Sequence, residues 1–144
     1  MKLSDHFQLS EFEVTSTGIP NEVHNIFIAI NLSNLCENLL EHIRKFFGHP
    51  IYINSGYRCA RVNTAVGGVP TSDHLYGCAA DISAGNLDYE LLEDAVKAYI
   101  DTISISADKD KFNQIIFYPK RKFIHVSLRP IGHIGRNKMQ ILTK

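Results

Sequence analysis

The stretch Ser72-Asp73-His74-Leu75-Tyr76-Gly77-Cys78-Ala79-Ala80-Asp81, taken with the later Phe123-Ile124-His125-Val126-Ser127-Leu128, decides the reading of this chain. It offers one histidine, an aspartate after six intervening residues, and a second histidine far downstream. Two imidazole nitrogens and one carboxylate oxygen make a three-ligand set for zinc. Such a set leaves the fourth tetrahedral position open, as a catalytic zinc site requires.

Strand parity supports bringing these side chains together. The run Cys78–Ser83 is short, largely apolar and soon followed by Gly85, so it reads as a strand. Alternate strand residues point to opposite faces. Cys78, Ala80 and Ile82 then share one face, while Ala79, Asp81 and Ser83 share the other. In the second strand, Ile124, Val126 and Leu128 form the apolar face, and Phe123, His125 and Ser127 the opposite one. If both apolar faces pack on one core, Asp81 and His125 project from the same open side. His74 then comes from the loop leading into the first strand.

Bulk properties bound the class. A chain of 144 residues is long enough for a sizeable core and reads as one domain spanning residues 1–144. Hydrophobic content of 44% and charged content of 21% are ordinary for a globular chain. The formal net charge is zero, which argues against whole-molecule attraction to nucleic acid or an anionic membrane. No apolar run approaches a membrane span, and the opening MKLSDHFQLSEF has no apolar signal core. Cys36, Cys59 and Cys78 form no CxxC pair, so free thiols in a reducing compartment are expected.

Along the chain, residues 1–20 read as irregular, anchored by Phe7, Leu9 and Phe12. A helix is expected from Pro20-Asn21-Glu22 to Phe47, with an apolar stripe of Leu32, Leu35, Cys36, Leu39, Ile43 and Phe46. Asn31–Asn34 is a candidate interruption, and Gly48 followed by Pro50 closes the helix. A strand over Ile51–Ile53 and a two-turn helix over Arg58–Val66 follow, then a loop at Gly67–Pro70. Caps at Asn86–Asp88 open a helix with a stripe of Leu91, Leu92, Ala95, Val96 and Tyr99. Asp108–Lys111 reads as a charged turn, Asn113–Tyr118 and Lys122–Leu128 as a hairpin, and Met139–Leu142 as an edge strand.

The central block SGYRCARVNTAVGGVPTSDHLYGCAAD resembles the signature of zinc peptidases that act on bacterial cell-wall peptides. These are the D-alanyl-D-alanine carboxypeptidases and the L-alanoyl-D-glutamate endopeptidases of phage endolysins, in a wider group with lysostaphin-like enzymes and the hedgehog domain. HFQLSEF, NQIIFYPKRKFIHVSL and GRNKMQIL extend the likeness over most of the chain. The resemblance implies an α+β fold, with a small antiparallel sheet carrying the zinc site on one face and helices packed against it. It implies Zn2+ held by His74, Asp81 and His125. It makes Arg58 the cation that binds a substrate carboxylate or carbonyl and steadies the developing oxyanion, a role physically needed in peptide hydrolysis. Ser72 is assigned to orienting substrate or the ligand loop. The expected partner is a peptidoglycan stem peptide, not nucleic acid, and the expected state is a monomer without membrane insertion. The source implied is phage or bacterial, with cytoplasmic synthesis and action on the wall after release.

One departure from the family pattern bears on activity. Many members place a carboxylate a few residues before the last histidine, as general base. Here that stretch is Lys120, Arg121, Lys122, Phe123 and Ile124, and Asn113 stands where relatives often carry an aspartate. The base is therefore unassigned, with Asp73, Asp108 and Glu11 as candidates. The rival reading is a weakly active or inactive zinc-containing module that binds wall peptides, or a phage structural component. Arg58 also has a plainer reading, a surface salt bridge. His6, His24, His42, His49 and His133 lack ligand spacing and read as solvent-facing or satisfied in the core. Gly67-Gly68 lacks the Lys-Ser/Thr pair of a phosphate loop. Arg129, Arg136, Lys138 and Lys144 read as a solvated tail.

Overall fold

Five strands form the sheet that carries the apolar core. They are β3 (Tyr52–Ser55), β4 (Ala79–Ser83), β5 (Phe112–Tyr118), β6 (Phe123–Leu128) and β7 (Gln140–Thr143), in the order β3-β4-β6-β5-β7. The structure is a computed structural model that describes residues 1–103, 111–130 and 139–144. A separate two-stranded antiparallel sheet pairs β1 (Lys2–Ser4) with β2 (Phe7–Gln8). The expected antiparallel sheet is therefore a mixed one. β3, β4, β6 and β5 are antiparallel neighbours, but β7 runs parallel to β5. The reason is topological: β4 and β5 already occupy both edges of β6, so β7 pairs on the outer edge of β5.

Helices α1 (Leu9–Phe12), α2 (Ile26–Leu35), α3 (Glu41–Phe47) and α5 (Tyr89–Ile103) supply the core on one face, whereas Val62 of α4 (Ala60–Ala65) lines a cavity shared with Asp81. Leu32, Leu39 and Ile43 from the α2–α3 segment and Leu92 and Val96 from α5 share one core with Ala80, Ile82, Ile115, Phe117, Ile124 and Val126 of the sheet. Full burial of a side chain of this size contributes about 1.5–3 kcal/mol. No helix among the described residues is long and apolar enough to cross a membrane.

Several boundaries differ from the sequence expectation. The first long helix starts at Ile26, where the Asn25 side chain accepts the Phe27 N–H at 2.8 Å. Asn21 is no cap. Its side chain donates to the Glu13 and Tyr57 carbonyls and accepts the Cys59 N–H, pinning a loop instead. Asn31–Asn34 does not interrupt the helix, whose irregularity is a π-helical turn at Cys36–Leu40. That wider turn advances the buried stripe by about one position. Leu40 and Phe47 are buried, whereas Phe46 is 46% exposed. Leu91 likewise drops out of the α5 stripe, which runs through Leu92, Ala95, Val96, Tyr99, Ile100 and Ile103. The expected helix over Arg58–Val66 is shorter, and the turn expected at Asp108–Lys111 lies mostly outside the described residues.

The N-terminal segment is only partly irregular: residues 2–12 contain β1, β2 and α1, and residues 13–20 carry no helix or strand. Phe7 and Phe12 are buried as anchors, and Glu41 of α3 ties the segment down. One Glu41 carboxylate oxygen accepts from Ser4 Oγ at 2.7 Å and from the His6 N–H at 2.9 Å, and the other lies 2.7 Å from His6 Nδ1. Burial alone would raise the Glu41 carboxyl, but the bonds from Ser4 and His6 outweigh it and lower its pKa. A carboxyl lowered by folding contributes stability above its ordinary value of 4.5, and that contribution drains as pH falls through the folded value. Glu41→Gln is expected to cost about 1 kcal/mol near neutral pH and progressively less as pH falls below 4.5. Thermal melts of both chains across that range would refute this if their difference did not shrink in acid.

Candidate metal centre

Each of the three candidate ligands is placed by a different local device. Asp81 lies on β4 directly opposite His125 on β6 in the antiparallel register. Their neighbours Ala80, Ile82, Ile124 and Val126 are fully buried on the helix-covered side, so period-two alternation turns Asp81 and His125 to the other face. Ser55 and Ile116 flank them across the sheet.

His74 arrives from a short 3-10 turn, Asp73–Tyr76. Ser72 caps this turn, its hydroxyl accepting the His74 N–H at 3.3 Å. Gly77 ends the turn in the left-handed region at φ 74°, and a Cβ there would lie 2.8 Å from the Ile28 carbonyl oxygen. Only glycine meets both demands without strain. The chain then reverses directly into β4.

The ligand atoms of His74, Asp81 and His125 lie within 4.8 Å of one another. Asp81 Oδ1 sits 2.9 Å from His125 Nδ1 and 3.4 Å from His74 Nε2. Ligands on a tetrahedral zinc ion, at bonds of about 2.0–2.1 Å, stand about 3.3 Å apart. His74 Nδ1 donates to the Gly56 carbonyl at 2.7 Å. In the neutral ring Nε2 then carries the lone pair and faces a carboxylate oxygen. Two acceptor atoms in that position repel unless a proton or a cation lies between them. The donor chemistry therefore fits a divalent ion. Burial raises the Asp81 carboxyl, but the hydrogen bond with His125 and the neighbouring imidazoles outweigh it and hold Asp81 well below the usual carboxylate range. Asp81 is ready to ligate as the anion.

Arg58 adjoins the cluster. Its Nε donates to Ser55 Oγ at 3.1 Å and its Nη2 lies 3.4 Å from Asp81 Oδ2. The contact with Asp81 is long, and the guanidinium also lines a cavity of about 370 Å³ with Ser16, Asn54, Arg121 and Phe123. On the other flank, a cavity of about 340 Å³ is lined by Ser72, Asp73, Asn113, Tyr118 and His125. Of the carboxylates nominated as base, Asp73 lines this second cavity, its Oδ2 accepting from Asn113 Nδ2 at 2.6 Å. Glu11 is turned away and accepts the Gln8 N–H at the start of α1. Asp108 lies outside the described residues.

The other described histidines stay away from the cluster. His6 pairs with Glu41, His42 stacks on Tyr99, His49 meets the Phe47 ring edge, and His24 is exposed beside Glu22. His133 lies outside the described residues. The cysteines are free thiols. Burial, aided by the Asp73 charge, pushes Cys78 up to about 12, so it stays protonated beside the site. Sequence reasoning missed two supports of the site. One is the Gly56 carbonyl, which carries no side-chain signal. The other is Asn113, noted only as a missing aspartate.

An α+β fold that gathers two imidazoles and a carboxylate on the uncovered face of its sheet defines a candidate mononuclear metal centre. The family model described as Peptidase M15 matches residues 5–127, and the chain belongs to that family. Over 48 residues the chain is 42% identical to the zinc D-Ala-D-Ala carboxypeptidase of Streptomyces albus G. That match covers 33% of this chain and 19% of the relative, so the chain aligns with only about a fifth of that protein.

Proposed function

We propose that this protein is a zinc metallopeptidase that hydrolyses peptide bonds in peptidoglycan stem peptides, with His74, Asp81 and His125 as the metal ligands. The observation that carries the reading is His74 Nε2 facing Asp81 Oδ1 at 3.4 Å, with His125 Nδ1 alongside, inside a Peptidase M15 chain. Bound zinc supplies Lewis acidity: it lowers the pKa of a water toward about 7 and polarises a carbonyl.

The chain's own residues do the rest. The Gly56 carbonyl fixes the His74 tautomer and ring orientation. Ser72 holds the turn that carries His74. Arg58, supported by Ser55, presents a guanidinium beside the metal ligands. It binds the scissile carbonyl oxygen or a nearby carboxylate and stabilises the negative charge that hydrolysis builds there. Asp73, steadied by Asn113, is the remaining nominated carboxylate on the flank of His125. The working unit in this reading is one domain over residues 1–144, acting as a monomer on wall peptides of a bacterium, from a phage or bacterial source.

A second reading is a zinc-containing module that binds wall peptides with little or no turnover, or a phage structural component. The basic run Lys120-Arg121-Lys122 favours it, because it stands where family members carry a base. A lost base commonly costs about 10²–10⁴-fold in rate. Digesting muropeptides with the zinc-loaded protein separates the two. The peptidase reading expects new stem-peptide termini by mass spectrometry. Binding without any cleavage at high enzyme loading would favour the module.

A further inference from the structure

The basic run that replaces the family's carboxylate does not act as a unit. Of its three residues, only Arg121 lines the 370 Å³ cavity next to the candidate metal ligands, together with Arg58 and Asp81. We propose that Arg121 is a specificity-determining residue that binds a substrate carboxylate, so that the Arg58–Arg121 cavity takes an anionic part of the peptide. This rests on the peptidase reading of the site.

The hairpin explains how the exposed Arg121 comes to line this cavity. The Tyr118 carbonyl accepts both the Arg121 N–H at 3.1 Å and the Lys122 N–H at 2.7 Å, and Lys122 takes a left-handed φ of 59°. This tight closure sets the Arg121 guanidinium 5.0 Å from the Phe123 ring centre and 6.0 Å from that of Tyr118. Those two rings stack at 4.5 Å and 18°. Aromatic support holds a guanidinium by its face and leaves its in-plane N–H donors for a carboxylate. No Asp or Glu among the described residues pairs with Arg121.

Charge balance points the same way. Asp81 is the one carboxylate in the cavity lining among the described residues, and His74, His125 and Arg58 already engage it. Two guanidiniums, and a divalent ion when bound, leave that side of the site with excess positive charge in a chain of zero net charge. A neutral ligand would leave the excess uncompensated, while a carboxylate offers the fork-on-fork match that arginine favours. Ring stacking alone would be a sufficient role for an arginine on an open turn. It does not account for a second cation on this wall with no acid to meet it among the described residues.

The carboxylate has two possible sources, the free C-terminus of the peptide or an acidic side chain beyond the scissile bond. Calorimetric binding to the zinc-loaded and the chelated chain distinguishes them with two probe pairs. One pair is N-acetyl-D-alanyl-D-alanine and its C-terminal amide; the other is N-acetyl-alanyl-glutamate amide and its glutamine counterpart. At least one acid is expected to bind about tenfold more tightly than its neutral partner. Arg121→Ala should bring that ratio close to one without changing affinity for the neutral partner, and Arg121→Lys should restore part of it. The pair that shows the preference identifies the source. No acid preference in either pair, absence of binding by both acids, or a preference that survives Arg121→Ala overturns the assignment. Turnover is scored separately. Acid-selective binding without cleavage sinks the peptidase reading and leaves the carboxylate site standing, whereas cleavage without acid preference does the reverse.

Discussion

Replacing His125 by alanine is expected to remove metal uptake and turnover together. Elemental analysis of the wild type should find about one zinc per chain, the stoichiometry of a three-ligand site with an open position. The variant keeps at most two of the three ligands that converge within 4.8 Å. Its turnover on muropeptides should fall at least about 10³-fold, since the Lewis acid supplies several kcal/mol. Stability should follow occupancy. A metal that binds only the folded chain at a thousand times its dissociation constant adds about 4 kcal/mol. At this chain length that corresponds to about 8–16 °C in melting temperature. Chelation should therefore lower the wild-type melt strongly and leave His125→Ala almost unmoved. Equal melts of the wild type with and without chelator would contradict the ligand assignment.

Gly56→Ala is expected to damage fold and site at once, although Gly56 contributes no side chain. A Cβ at this position would lie 2.6 Å from Phe12 Cδ1 and 2.7 Å from the Phe12 Cα. Phe12 is fully buried, and its carbonyl accepts the Tyr57 N–H at 2.8 Å, so neither partner yields cheaply. Overpacking of this kind typically costs about 1–3 kcal/mol. The same peptide unit carries the carbonyl that accepts from His74 Nδ1. Moving it releases the tautomer and tilt of the ring, which in metal sites costs about 10–100-fold in affinity. The measurement is a zinc titration of the refolded variant beside its denaturant midpoint. Lost stability with unchanged zinc affinity would show that the Gly56 carbonyl does not orient His74.

Both effects follow from how the site is assembled. Asp81 and His125 are cross-strand neighbours on a rigid pair of strands. His74 sits on a short turn held from three sides: by the Ser72 hydroxyl, by the Gly56 carbonyl, and by Gly77 packed against Ile28. The Arg58 guanidinium is tied to β3 through Ser55. Each ligand is thus oriented by a neighbour that is itself anchored in the core, the arrangement that keeps a binding constellation within tolerance.

Much of this was legible from local pattern. The alternation in Cys78–Ser83 and Phe123–Leu128 put Asp81 and His125 on one face, and the register now pairs them directly. The same rule failed where geometry was not regular. The π-helical turn at Cys36–Leu40 displaced Phe46 from the core stripe in favour of Phe47, and no residue type announces such a turn. Asn21 looked like a helix start because its local neighbours suit one. Its three hydrogen bonds, to partners before and well after it in the chain, hold it in a loop.

The sequence by itself determined the kinds of side chain available and the faces they take, because alternation along a strand is a property of the backbone. It also carried the resemblance to the family, in the central block SGYRCARVNTAVGGVPTSDHLYGCAAD. Which atoms meet was decided only by the tertiary structure. The contact of His125 Nδ1 with Asp81 Oδ1 spans 44 residues, and that of His74 Nδ1 with the Gly56 carbonyl spans 18. Such meetings depend on strand register and on the closure of the Tyr118–Lys122 turn, which also aims Arg121 into the cavity. Pairing of this range is set by the packing of the whole core, and no single segment encodes it.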